Sequence, residues 1–349
     1  MKSATHSNNI GFLRLLFASL VIVAHAPAII DGNSSRELLS NIIGSRTLGN
    51  LSVDGFFLIS GYLIVKSYER SSSAVSYLKK RIFRIYPGFI AAVLVCLLLA
   101  PFTGVALQFD SVPQAIRFVV TALALQPAPF NGFSGLPYNS LNGSLWTISY
   151  EFRCYIFALV AGWMGLVAKR QLFAAMSIVL VALTTLPLPN TLNGAVAFFT
   201  GYPFDMVRFL AAFSVGACFY LYRDRIPLRG DIAACCAAML LALMAIETFE
   251  VAAFVVFGGY LIFWFAFAVK SPGISRINGD DDVSYGVYLY GWPISSSLVY
   301  FLGVSSPTLL IVLSLPLAYI AGYLSWIYIE RRFTSSKPLR KSSVPNPIG

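Results

Sequence analysis

GFLRLLFASLVIVAHAPAII, residues 11–30, is an apolar run whose only ionisable side chains are Arg14 and His25. Its length matches the ~20 residues a helix needs to cross ~30 Å of hydrocarbon. An Arg or His inside such a run is costly in lipid and is read by default as a functional site with a partner. The two lie eleven residues apart, ~16 Å along a helix at 1.5 Å per residue. Working outward, comparable runs recur at 51–66, 87–107, 145–168, 172–188, 206–222, 231–248, 251–269, 284–301 and 308–329. With 57% apolar and 11% charged residues, the chain falls outside the soluble globular class. The pattern predicts an all-α integral membrane protein of about ten transmembrane helices.

Basic residues segregate between alternate loops. One set holds Lys66, Arg70, Lys79, Lys80, Arg81 and Arg84, then Lys169 and Arg170, then Arg223, Arg225 and Arg229, then Lys270 and Arg276, and last Arg331, Arg332, Lys337, Arg340 and Lys341; the other holds little beyond Arg36, Arg46 and Arg117. Short loops rich in Lys and Arg stay cytoplasmic, so both termini are expected in the cytoplasm of a multi-pass protein. The net charge of +10 is then a topology signal. It is not a nucleic-acid footprint, because spans interrupt the basic residues. Lys2, the first apolar run and Ala24-His25-Ala26 imitate a signal peptide. Arg14 stands where the apolar core of such a peptide would begin, and the charge bias needs an N-in start, so the run is read as a retained helix. Cys96, Cys154, Cys218, Cys235 and Cys236 fall within expected spans without metal-ligand spacing and read as small apolar core residues.

One membrane domain is expected over 1–333, followed by a short basic tail, 334–349. The longest outer connection, 108–143, divides into a moderately apolar stretch, 112–126, read as an interfacial or re-entrant helix, and a Pro-, Gly- and Asn-rich part read as an ordered loop or lid.

Topology assigns each polar residue a depth. Arg14 starts the first helix on the inner side with Arg81 and Arg84, which stand three apart on one helical face. His25 is in the outer half. Asp54 opens the second span from outside, Glu151 lies less than two turns into the fourth, and Asp205 opens the sixth. Singly, each has a bland reading: a hydrogen-bonded structural His, a topology signal, a carboxylate favouring a helix dipole. Jointly, a basic inner site suits a phosphate-bearing donor. A neutral His suits proton removal from a hydroxyl that attacks an acyl carbon, with a carboxylate to orient it.

Several stretches resemble the acyltransferase-3 family of integral membrane O-acyltransferases, which includes O-antigen, exopolysaccharide and Nod-factor acetyltransferases. Arg14 and His25 fit its R-x10-H; Asp54 to Leu63, DGFFLISGYL, its FF-x-x-SG-[FY]-L; Arg81 to Pro87, RIFRIYP, its R-x-x-R-x-x-P; Trp146 to Glu151, WTISYE, with Tyr155, its W-S-L-x-x-E-x-x-x-Y. Ser284 to Leu289 with Trp292-Pro293 is similar to its late helix, and Glu330 to Phe333 to its closing E-[RK]-P-F. The sequence departs at Gly291, where many members carry a second His, and at Thr147, which replaces Ser while keeping a hydroxyl.

The resemblance implies a bacterial inner-membrane enzyme with no permanently bound cofactor. Its donor would be cytoplasmic acyl-CoA, usually acetyl-CoA, held by Arg14, Arg81 and Arg84. Its acceptor would be a glycan, lipid-linked or free, at the outer face; a lipid or antibiotic acceptor is the alternative. His25 is the expected general base, with Glu151 or Asp54 orienting it or gripping the acceptor. A channel would have to span the distance between Arg14 and His25. A secondary transporter of an anionic solute would also place Arg and His in spans, but would be expected to show inverted repeats and broken helices, which the sequence lacks.

Overall fold

The computed structural model describes residues 8–43, 46–104, 111–126, 131–189, 191, 194–279 and 281–334. Among them the fold is all-helical, its one extended pairing being an isolated bridge between Asn131 and Ser140. The basic tail beyond Thr334 lies outside the described residues.

Each of the ten expected spans falls on a helix: α1 Ile10–Asp31, α2 Leu48–Glu69, α3 Ala74–Leu99, then, after the outer helix α4 Val112–Leu123, α5 Trp146–Trp163, α6 Arg170–Leu183, α7 Pro203–Leu221, α8 Gly230–Met244, α9 Glu247–Phe267, α10 Ser284–Leu302 and α11 Pro307–Thr334. Six of these, α1, α2, α3, α7, α9 and α11, are long and apolar enough to cross a membrane. α6 and α8, at 14 and 15 residues, are shorter than the ~20 a perpendicular span needs. α5 carries Glu151 and Arg153 within its 18 residues.

The third helix departs most from its expected bounds. It begins at Ala74, thirteen residues before the expected start at Pro87, because the Ser73 hydroxyl caps it by accepting the Ser76 N–H. It then runs through Pro87, as spans tolerate where neighbours satisfy the freed backbone. Arg81 and Arg84 therefore stand on a helix wall rather than in a loop. Asp54 likewise does not open its helix. A Thr47–Asn50 capping box starts α2 six residues earlier, which carries Asp54 into the interior at 0% exposure.

Small residues set the closest crossings. A Cβ on Gly61 of α2 would fall 1.9 Å from the Phe213 carbonyl oxygen of α7, and one on Gly216 of α7 would fall 1.9 Å from the Leu58 carbonyl oxygen of α2. The two backbones thus meet with no side chain between them, a contact that small residues permit in membrane helices. Gly286 of α10 and Gly322 of α11 repeat the device, with a Gly286 Cβ 2.7 Å from the Gly322 Cα. α1 packs on α2, α10 and α11, so the helix bearing Arg14 and His25 lies inside the bundle. Its start is pinned by Asn9, whose Nδ2 donates to the carbonyls of Phe265 and Val269. Its end turns at Gly32 in the left-handed region.

The cysteines are free thiols: Cys96 and Cys154 are buried and Cys218 and Cys236 half-buried, but Cys235 is exposed on α8 and is not a core residue as expected. α8 turns much of its apolar surface outward, as a lipid-facing helix does.

Candidate active site

Two cavities open into the bundle around α1, with a small waist between them that shares lining residues with each. The first, about 730 Å³, lies at the Arg14 end. It is walled by Ser60 and Leu63 of α2, Lys79, Lys80, Arg81 and Arg84 of α3, and Glu151 and Tyr155 of α5. Helical spacing brings the α3 residues to one wall, since positions three and four apart share a face.

The cations of this cavity are of two kinds. Arg14 Nη1 and Arg84 Nη2 both stand 2.6 Å from Oδ2 of Asp282, in the turn before α10. Asp282 Oδ1 accepts hydrogen bonds from Ser284 Oγ and Asn278 Nδ2. Burial pushes this carboxyl up, but the two guanidiniums outweigh it and hold it well below the usual carboxylate range. Arg84 Nη1 is also 3.6 Å from Glu330, which accepts from Ser325. Two arginines and two carboxylates thus cancel. Arg81 differs: it reaches Ser67 Oγ at 3.3 Å, lies over the rings of Tyr77 and Tyr155, and keeps its buried Nε without a hydrogen-bond partner. Among the described residues Lys79, Lys80 and Arg81 have no carboxylate partner, so the uncompensated positive charge gathers on the first two turns of α3.

The waist is a space of about 40 Å³ between Val53, Phe56, Thr147, Tyr285 and Tyr288. It shares Arg14, Phe56, Ser60, Arg84, Glu151 and Tyr155 with the first cavity, and Val53, Thr147 and Tyr288 with the second.

His25 lines the second cavity, about 390 Å³, with Ser34, Asn50, Tyr138, Ser140, Trp146, Arg208 and Trp292. The half-buried imidazole sits edge-on to Trp292, with ring centroids 4.9 Å apart. A neutral imidazole carries one N–H and one acceptor nitrogen, and the acceptor is the atom a proton-accepting His requires. The Pro-, Gly- and Asn-rich outer segment is ordered where described: Trp292 Nε1 donates to the Ser140 carbonyl at 3.1 Å and Asn142 Nδ2 to the Leu289 carbonyl at 2.8 Å. It thereby forms one wall of this cavity. α4, over part of the stretch expected to lie at the interface, exposes most of its residues and is tied to α3 by Tyr86 Oη donating to the Leu123 carbonyl.

Neither expected orienting carboxylate pairs with the imidazole. Glu151, one turn beyond Thr147, sits across the waist and accepts the Tyr155 hydroxyl at 2.5 Å. Asp54 accepts Arg208 Nε at 2.7 Å and stands 3.5 Å from Arg46 Nη2, while Arg46 Nε stands 3.0 Å from Glu250. Arg208 Nη2 completes the lock by donating to the Asn50 carbonyl. Asp54 therefore reaches the His25 cavity through Arg208, which lines it, and not directly.

Asp282, Glu330, Arg46 and Arg208 were not singled out as site residues by sequence reasoning. Arg208 carried a signal, a charge three residues into an apolar run, and the cost of intramembrane charge applies to it as it does to Arg14. Asp282, in the run Gly279 to Asp282, reads as ordinary loop composition. Only the fold brings it between two arginines.

A family model described as an acyltransferase domain matches residues 7–329. The chain is 29% identical over 342 residues to an O-acetyl transferase of Shigella phage Sf6, covering 95% of this chain and 98% of that one. It is 32% identical over 171 residues to nodulation protein 10 of Rhizobium leguminosarum bv. viciae, covering 44% of each. No solved structure matches it.

Proposed function

Because the chain belongs to the acyltransferase-3 family, we propose that it is an inner-membrane O-acetyltransferase carrying an acetyl group from cytoplasmic acetyl-CoA to a hydroxyl of a surface glycan at the outer face. The observation that carries this reading is that a cationic cavity and the His25 cavity each share wall residues with one small waist between them. The basic end of α3 faces the cytoplasm under the positive-inside bias, in a bundle of about ten spans with both termini inside. Lys79, Lys80 and Arg81, which lack carboxylate partners, hold the coenzyme phosphates by charge-assisted hydrogen bonds. Arg14 and Arg84, already tied to Asp282, line the inlet where the pantetheine arm enters, beside Glu151.

The thioester then lies in the waist with its acyl carbon toward His25. The acceptor-facing nitrogen of His25 takes the proton as the hydroxyl oxygen forms its bond to the acyl carbon. The C–S bond breaks, and the proton passes from His25 to the departing thiolate, giving CoA and the O-acetyl ester. Arg208, fixed by Asp54 and the Asn50 carbonyl, presents a guanidinium in the same cavity to the oxygen that gains charge. A positioned base of this kind contributes ~10²–10⁴-fold. The cavity's rim favours a sugar: Trp146 and Tyr138 offer exposed ring faces beside the hydroxyls and amide of Ser34, Ser140 and Asn50, the mixture of apolar wall and few polar groups of a small-ligand pocket. The full-length similarity to an O-acetyl transferase supports the same donor group.

The test is His25→Ala. Purified variant and parent should both be stabilised by CoA, as ligands of the folded state are by mass action, while O-acetyl in the surface polysaccharide, read by NMR from cells carrying each, disappears only with the variant. Parent-level O-acetylation by His25→Ala refutes the assignment.

A further inference from the structure

The cavity at the Arg14 end has a far end whose chemistry differs from that at the waist. Arg14, Phe56, Ser60, Arg84, Glu151 and Tyr155 wall both spaces, whereas Lys79, Lys80, Arg81, Phe83 and Phe333 wall the cavity and not the waist. Two rings meet there, Phe83 of α3 and Phe333 of α11, with centroids 5.9 Å apart and planes tilted by 32°. They are 37% and 49% exposed. Phe83 follows Lys79 by one helical turn, and the Lys79 ammonium lies over its ring, 5.7 Å from the centroid. Phe333 comes from the last turn of α11, three residues beyond Glu330, whose carboxylate faces Arg84. One face of that turn thus meets α3 at both places.

Half-exposed rings beside uncompensated cations suit a ligand that carries both a flat ring and phosphates. Rings packed only for the core are covered, but these two keep open area on the wall of a cationic cavity. Order matters as much as composition. Outward from the waist the walls change from Glu151, Arg14 and Arg84 to a mixed group of cations and rings. Acyl-CoA has the same order, with the thioester and its amide arm first, then phosphates and adenine together at the far end. We propose that Phe83 and Phe333 form the adenine subsite of the donor site, with Lys79, Lys80 and Arg81 on the phosphates around it. Because Lys79 already covers Phe83, the more exposed Phe333 is the open platform on which the purine stacks. Every base has a π-face, and stacking on an aromatic side chain is a general means of holding one. The proposal rests on the donor reading above, and adds that the nucleotide end is read by rings as well as by charge. Free acyl-CoA is thereby preferred to a donor that carries only phosphopantetheine.

Calorimetry on the purified full chain separates the base from the rest of the coenzyme. The ligands are CoA and 4′-phosphopantetheine, which lacks the nucleotide. Phe333→Leu keeps an apolar side chain but no ring, and Phe333→Tyr keeps the ring. Since Phe333 is half-exposed, both variants should melt within ~2 °C of the parent, as surface substitutions do. The expected result is a CoA affinity lowered about five- to hundredfold in Phe333→Leu, the range for loss of one base–aromatic stack. Phe333→Tyr should bind CoA as the parent does, and the affinity for 4′-phosphopantetheine should be the same in all three. Parental CoA affinity in Phe333→Leu overturns the subsite and leaves the rings as lipid-facing residues. An equal loss in Phe333→Leu and Phe333→Tyr, or an equal loss for both ligands, overturns it too, because the effect then belongs to packing and not to the base. Absence of CoA binding in the parent refutes instead the donor reading on which the subsite stands.

Discussion

Asp282→Asn removes the one carboxylate that Arg14 and Arg84 share. Both guanidinium nitrogens lie 2.6 Å from the same oxygen, and the side chains are only 17–22% exposed. At charge separations of ~4 Å and an effective dielectric of ~20, each pair is worth ~4 kcal/mol gross. Much of that offsets desolvation, but removing one partner of a buried pair strands the others and costs about 3–5 kcal/mol. Partial exposure favours the lower end, about 3 kcal/mol, or ~6–12 °C in melting temperature at ~2–4 °C per kcal/mol. Scanning fluorimetry of the detergent-purified proteins reads this directly. The pH dependence has a definite sign. A carboxyl held below its usual range contributes its full stability above the unfolded value of ~3.9, and loses it as pH falls through the folded value. The gap between parent and variant should therefore stay constant from pH ~5 to 8 and close only in stronger acid. Adding Arg14→Gln to Asp282→Asn should recover part of the loss, because Arg14 pairs with no other carboxylate among the described residues whereas Arg84 keeps Glu330. A variant melting within ~1 °C of the parent at neutral pH, or a gap that widens on acidification, refutes the role of Asp282 as counter-ion.

Asp54→Asn should cost about 3–5 kcal/mol, since Arg208 and Arg46 lose a shared, fully buried partner; Asp54→Leu with Arg208→Met should be less destabilised than Asp54→Asn alone, checked by the same melting assay. Gly216→Val should abolish a monodisperse folded peak in size-exclusion chromatography, because its Cβ would meet the Leu58 carbonyl, a backbone atom that cannot rotate away. Replacing Lys79, Lys80 and Arg81 together by Gln should weaken CoA binding at least tenfold in calorimetry and flatten its salt dependence, as each charge-assisted bond is worth ~1.5–3 kcal/mol.

Helices are the part of this fold most legible in one dimension, because an apolar run of sufficient length has no other way to satisfy its backbone in lipid. Their ends were less so: Pro87 reads as a start, yet the helix capped by Ser73 begins thirteen residues earlier, at Ala74. The site divides in the same way. Arg14, His25, Glu151 and the Arg81–Arg84 pair stand out because ionisable groups in apolar runs are costly, and each does line one of the two cavities. Their pairings do not stand out. Asp282 on Arg84, and Asp54 on Arg208, join residues 198 and 154 positions apart in the chain.

By itself, then, the sequence determined the all-helical membrane class, the family and which ionisable residues to watch, since hydropathy and short spacings are local properties of a chain. Only the tertiary structure decided which cations remain uncompensated, that Glu151 and Asp54 stand apart from the imidazole, and that a waist separates the two cavities. Those facts depend on how close distant helices approach, and glycine contacts such as Gly61 on Phe213 set that approach through space.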